Sequence, residues 1–331
     1  MLSAFVLALA LPQAMPNCDG GREDIQRIQR ERITGSLAKA EADARRLLEC
    51  PRLGAKVRLR LAIELAAVLD RNGLHHNTRP VMEAETLLNG FDADIGEDDI
   101  DGRALLTLAL ARLRYHAEMS GKRFEKTTLG ARKAESLFRQ AEDPAGAANA
   151  IHLLGRVELQ KRNFDAARTH FDASLNAMDA RSDLDRSIFL SDYHRHVGMI
   201  SLLSGRPGAA VLDLEKSLAL RDAAGSKDYG LFARTMLGSV LIDGGHPRQA
   251  RVHLEEALQL AGDLPSPFGH LQATHQMARM HEALGEHNAA AAAYRGAIEH
   301  AAKLGVGGIL EEARERLNAL EQLLSRDPLP E

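Results

Sequence analysis

Ile151-x-x-Leu154-Gly155, with Ala167 twelve positions after the glycine and Phe171 four further on, is one copy of a pattern that sets the fold. Three more copies follow: His194-x-x-Val197-Gly198 with Ala210 and Leu214, Arg234-x-x-Leu237-Gly238 with Ala250 and Leu254, and Thr274-x-x-Met277-Ala278 with Ala290 and Tyr294. A small residue in the middle of one helix lets a second helix approach. The alanine fills the matching position, and the larger residue one turn on reaches the next layer. Between the paired stretches stand Gly205-Arg206-Pro207, Gly244-Gly245-His246-Pro247 and Leu284-Gly285-Glu286-His287, with Pro207 and Pro247 placed to open a helix where a missing N–H costs nothing.

Working outward, apolar residues keep three- and four-residue spacing throughout the chain after residue 55, and Gly or Pro marks each break. Arg114 and Ala66 occupy comparable places before earlier turns, but without the twelve-residue interval, so residues 55–144 read as degenerate hairpins. Residues 18–54 read as an N-terminal helical cap, 145–305 as four clear repeats, and Leu310 to Leu324, within 306–331, as a charged capping helix. A stacked array needs such caps because its end units have no neighbour. The expected fold is all-α: a right-handed α-solenoid of about six antiparallel hairpins with capping helices.

These motifs resemble the tetratricopeptide repeat over about 145 to 304. The small positions Gly155, Gly198, Gly238 and Ala278 lie 43, 40 and 40 residues apart, similar to the long-helix variety of the family. Ile151, His194, Arg234 and Thr274 stand where the family usually has a large aromatic. The resemblance implies a binding protein that works through the concave face lined by the first helix of each pair.

Leu2 to Leu11 is a ten-residue apolar block that turns polar at Asn17, in the manner of a secretory signal, although no Lys or Arg precedes it. Residues 1–17 are therefore read as a signal peptide and the protein as exported, to the periplasm, with a cytosolic location as the alternative. The two cysteines, Cys18 and Cys50, allow one disulfide. An unbroken helix from Arg22 to Glu49 would hold its ends roughly 40 Å apart and forbid the bond. A break at Thr34-Gly35-Ser36 would bring them together, and the sequence leaves both arrangements open.

The chain has 331 residues, 45% hydrophobic, 27% charged and 4% aromatic, with a formal net charge of −4. That balance and the lack of a basic stripe argue against a nucleic-acid partner. Beyond the first dozen residues no apolar run approaches the length of a membrane span. The pair His281 and His287 is six residues apart rather than the four a zinc-binding helix needs. His194 with His196, and His75-His76, read as solvated surface groups. Residues 92–102 hold clustered acids, whose last members are placed to cap a helix near Arg103 rather than to ligate calcium. No phosphate loop or nucleophile motif occurs. The expectation is a non-catalytic protein with no cofactor or metal.

Taking residues six and three before each small position and one after it gives the expected groove lining: Asn149, His152 and Arg156; Asp192, Arg195 and Met199; Phe232, Thr235 and Ser239; Gln272, His275 and Arg279. Three arginines and two histidines make this stripe mildly basic. It suits an extended peptide or protein segment with acidic or carboxylate groups. The leading expectation is an interaction scaffold; the alternatives are a peptide-responsive regulator that changes curvature, and an enzyme or metal protein.

Overall fold

The computed structural model describes residues 21–73, 78–119, 121, 123–178, 183–264 and 266–326. Among these there is no strand. The helices are α1 (Arg22–Ile33), α2 (Leu37–Leu48), α3 (Ala55–Gly73), α4 (Thr78–Asn89), α5 (Ile100–Met119), α6 (Glu125–Gln140), α7 (Pro144–Gln160), α8 (Phe164–Ala177), α9 (Asp183–Leu203), α10 (Pro207–Ala223), α11 (Lys227–Asp243), α12 (Pro247–Asp263), α13 (Pro267–Ala283), α14 (His287–Leu304) and α15 (Gly307–Arg326). They pair in order from α3/α4 to α13/α14, with a short hairpin before and one helix after. The result is a TPR-like α-solenoid of six hairpins plus capping helices.

The repeat signature is a packing rule. A methyl group added at Gly155 would lie 2.7 Å from Phe171, at Gly198 3.1 Å from Leu214, and at Gly238 2.6 Å from Leu254. Each small residue is thus a seat for the large residue sixteen positions on. Phe171, Leu214, Leu254 and Tyr294 are all buried, each contributing roughly 2 to 3 kcal/mol.

The earlier hairpins keep the interval with the sizes exchanged. Arg114, the residue the sequence offered, is half-buried and faces Glu85 at 3.6 Å. The position aligned with Gly155 is instead Tyr115, with Thr127 twelve residues later and Ala131 sixteen later, all buried. Val68 and Ala84 repeat this in α3/α4 and share a core. In both pairs the large residue stands on the first helix and the alanine on the second, within one core, so the order of sizes is the reverse of that in the four later pairs.

The tight turns also share one register. Gly205, Gly245 and Gly285 lie seven residues after their small positions with φ of 75°, 79° and 74°, and Arg162 takes the equivalent place at φ 63°. Only glycine occupies that region without strain. Asp143 opens α7 by accepting from the Gly146 N–H at 3.0 Å, and Asp99 does the same for Gly102 at 3.2 Å, so the acidic loop ends in a helix cap.

The chain breaks at Gly35, whose φ is 91°, and α1 and α2 form a hairpin. Cys50 is buried in the core of that end; Cys18 and the apolar block within residues 1–17 lie outside the described residues. The hairpin does more than cap α3. Ser226 Oγ donates to the Ile33 carbonyl at 2.7 Å, Gln29 donates to Asp185 at 3.1 Å, and Arg71 of α3 holds Asp228 of α11 at 2.6 Å. These contacts join residues about 160 to 190 positions apart across the concave side. The array therefore curves until its beginning meets α11.

Candidate peptide-binding groove

The first helices stack side by side, α3 on α5, α5 on α7, α7 on α9, and α11 on α13, and form the inner face. Its centre is rich in arginine. Arg112 of α5 donates to Asn149 Oδ1 of α7 at 2.8 Å. Arg156 of α7 lies 4.1 Å over the Tyr115 ring, with Nη2 3.4 Å from His116 Nε2. Asp70 stands 2.8 Å from His116 Nδ1, which places the imidazole proton there and leaves Nε2 as an acceptor for the arginine. Arg195 of α9 lies 3.5 Å from Asp192, and Arg221, buried at the end of α10, holds Asp192 at 2.5 Å and Ser191 Oγ at 2.6 Å. Arg221 and Arg71 both face the Tyr229 ring, at 4.3 and 4.5 Å.

Charge here is unbalanced. Burial opposes ionisation of Asp192, but Arg221 and Arg195, with His152 and Arg156 behind them, outweigh it and hold its carboxyl at about 2. Desolvation lowers the pKa of Arg112, and Arg156 and Arg32 lower it further. Arg195 is lowered in the same way, by desolvation and then by Arg156 and Arg221 against the pull of Asp192.

The twelve expected lining residues divide. Asn149, Arg156, Asp192, Arg195 and Met199 come together around this centre, with Met199 Sδ 3.9 Å from Arg195. Phe232 lies under Arg71 near Phe268, at the contact between α3 and α11. Ser239 and Arg279 bind each other at 3.2 Å, and Arg279 also holds Asp243 at 2.6 Å and Gln276 at 2.9 Å. Gln272 is half-buried on α13.

His152, Thr235 and His275 are buried, a correction to their expected place in the open groove. Three residues before the small position lies at the edge of its packing face, so these side chains turn inward while the longer Arg195 at the same place stays half-buried and reaches the groove. His196 is corrected likewise. It is 4% exposed and stacks on Phe171 at 5.1 Å. Its Nδ1 donates to the Asp192 carbonyl at 2.7 Å and lies 3.0 Å from His152 Nε2, while its Nε2 accepts from Arg195 at 2.9 Å. Burial keeps both rings neutral, against the pull of Asp192 on His152 and with the help of the neighbouring arginines, so that His152 is pushed down to about 3 and His196 well below its ordinary value. His194 is half-buried against Asp213 at 3.0 Å, and His75-His76 lie outside the described residues.

Sequence reasoning missed Arg112, Arg221, Arg71 and Tyr229. The first and third belong to hairpins whose repeat register was hidden by the size reversal, and Arg221 reaches the groove from the end of a second helix. Among the described residues no group of three or more metal-ligating side chains forms, and no helix is long and apolar enough to cross a membrane.

No family model and no curated protein matches the chain. Solved structures share its architecture. One is an aspartyl phosphate phosphatase F from Bacillus subtilis, 14% identical, covering 96% of this chain and 86% of that one at a TM-score of 0.55. A Rap protein complexed with Competence and Sporulation Factor is 12% identical over 92% and 98% of the two chains, TM-score 0.54. The apo form of RapI is 10% identical over 93% and 99%, TM-score 0.51. At such identities the likeness is one of fold. The expectation of export to the periplasm is corrected here: the architecture is the one shared with the Rap protein, RapI and aspartyl phosphate phosphatase F, and residues 1–17, on which export rested, lie outside the described residues.

Proposed function

We propose that this protein is a peptide-responsive regulatory scaffold, in which tetratricopeptide-type pairs at about 40-residue spacing take an extended segment on the inner face and answer with a change of curvature. This favours the regulator over the static scaffold. The observation that carries it is the curvature itself: α1 and α3 meet α9 and the start of α11 through Gln29–Asp185, Ser226–Ile33 and Arg71–Asp228, and enclose a face lined by long polar side chains. A segment bound between α5, α7 and α9 alters the spacing of stacked helices, and a repeat array adds such small changes along its length. A Rap protein of the same architecture holding Competence and Sporulation Factor supports this reading. The work is done by binding rather than catalysis, with 18–54 as the cap, 55–144 as the size-reversed pairs, 145–305 as the four regular ones and 306–331 as the closing helix.

Small-angle scattering of the full chain, with and without a pool of random hexapeptides at saturating concentration, tests the reading. The expected result is a shift in radius of gyration without a change of oligomeric state. An unchanged curve alongside demonstrated binding would leave a scaffold and remove the regulator.

A further inference from the structure

The geometry points to Arg112, Arg156 and Arg195 as a subsite for a carboxylate of the bound peptide, an inference that rests on the peptide-binding reading and names the chemistry the groove selects. Of these three guanidinium groups, among the described residues only Arg195 has a carboxylate beside it, and that carboxylate, Asp192, is held more closely by Arg221. Arg112 has only the neutral Asn149 oxygen, and Arg156 only an imidazole nitrogen and the face of Tyr115.

Other arginines of the array do have carboxylates. Arg32 has Glu64 at 2.9 Å, Arg71 has Asp228, Arg234 has both Asp222 and Glu256, and Arg279 has Asp243. At the centre of the inner face, Arg112 of α5 and Arg156 of α7 have none among the described residues. Buried donors without a hydrogen-bond partner stand here at Arg156 Nε and, from the end of α10, at Arg221 Nη1, as one does at Arg279 Nε on α13. A buried unmade hydrogen bond costs about 1 to 3 kcal/mol, so the arrangement persists only where something other than stability is served.

The surrounding contacts fix these groups in place. Tyr115 stacks under Arg156, His116 is locked by Asp70, and Asn149 is anchored by donating to the Ala145 carbonyl at 2.9 Å. Forks held this way present paired N–H groups of the geometry a carboxylate accepts. Like-charge repulsion among the three guanidinium groups is relieved when an anion arrives.

The carboxylate has two sources, an acidic side chain or the peptide's C-terminus. Four probes separate them: triglutamate with an amidated end, triglutamine with a free end, triglutamine with an amidated end, and the random hexapeptide pool. The thermal midpoint of the full chain is read with each at matched ionic strength. The expected result is that amidated triglutamate, free triglutamine or both raise the midpoint by several degrees and amidated triglutamine does not; the stronger of the first two identifies the source. The variant carrying Arg112→Gln and Arg156→Gln should keep or raise its own midpoint and lose the response, with affinity for the effective probe down at least about tenfold. Arg156→Lys, which keeps the charge and loses the fork, provides the same test if the double variant does not fold, with an intermediate loss expected.

Equal response to all tripeptides, no response to any, or an unaltered response in the folded variants would overturn the subsite. Hydrogen-exchange protection of α5, α7 and α9 by the hexapeptide pool would then show that peptide binding stands without it. Absence of that protection as well would remove both readings.

Discussion

Arg156 and Arg279 occupy the same place in their repeats, one residue after the small position, and have opposite surroundings. Arg279 spends its guanidinium on Asp243, Gln276 and Ser239. Arg156 rests on Tyr115 and His116 and meets no carboxylate among the described residues. Repeat position decides where a side chain points, and its neighbours decide whether it is structural. The histidines three residues before the small position show the same contrast. His275 faces Glu312 of the closing helix at 3.8 Å, whereas His152 meets a second neutral imidazole beneath the arginine centre. The α13 end is closed by its own charges; the α7 to α9 centre is open to an anion.

Substitutions on either side of this contrast have different expected costs. The largest effect is expected at Arg221, the one deeply buried cation of the centre with a firm partner. Arg221→Met should destabilise by about 3 kcal/mol in chemical denaturation, because it strands Asp192 among groups arranged around it. Close behind, Gly155→Ala and Gly238→Ala should each cost about 2 kcal/mol by driving Phe171 or Leu254 from its seat.

Next is pH. His152 and His196 have folded values below their unfolded ones, so the unfolded chain takes up protons first. Stability is full above about 6.5 and falls as pH drops, for His152 down to about 3, with a slope near 1.4 kcal/mol per pH unit for each ring while its unfolded form alone is protonated. Denaturation midpoints across that window should show it, and His152→Phe should flatten it.

Arg279→Gln should cost about 1 kcal/mol or less, since Asp243 is well solvated. Arg156→Gln should cost nothing measurable or stabilise slightly, which is the sharpest form of the comparison. In the opposite direction, Arg162→Gly should stabilise by roughly 0.5 to 1 kcal/mol by placing glycine where the three sister turns already have it.

Much of the fold was legible because the regular pairs obey one interval: Gly155 to Phe171, Gly198 to Leu214 and Gly238 to Leu254 are contacts that spacing alone implied. The Tyr115–Ala131 and Val68–Ala84 pairs were not, because a search for small residues on the first helix passes over a pair in which the second helix carries the alanine. The groove was legible in part. Arg156, Arg195, Asp192 and Asn149 followed from helical geometry. Arg221 and Arg71 did not, since they enter from a helix end and from across the curve, and curvature is a sum of small rotations that no local pattern encodes. His152 and His196 were misread as open groups because histidine is polar, whereas packing against Phe171 makes them core residues.

Hydrogen exchange over the whole chain with the hexapeptide pool tests the central claim most directly. The account predicts added protection along α5, α7 and α9, reduced in the Arg112→Gln, Arg156→Gln variant, with α6, α8 and α10 little changed. Protection confined to those outer helices, or none anywhere, would contradict it.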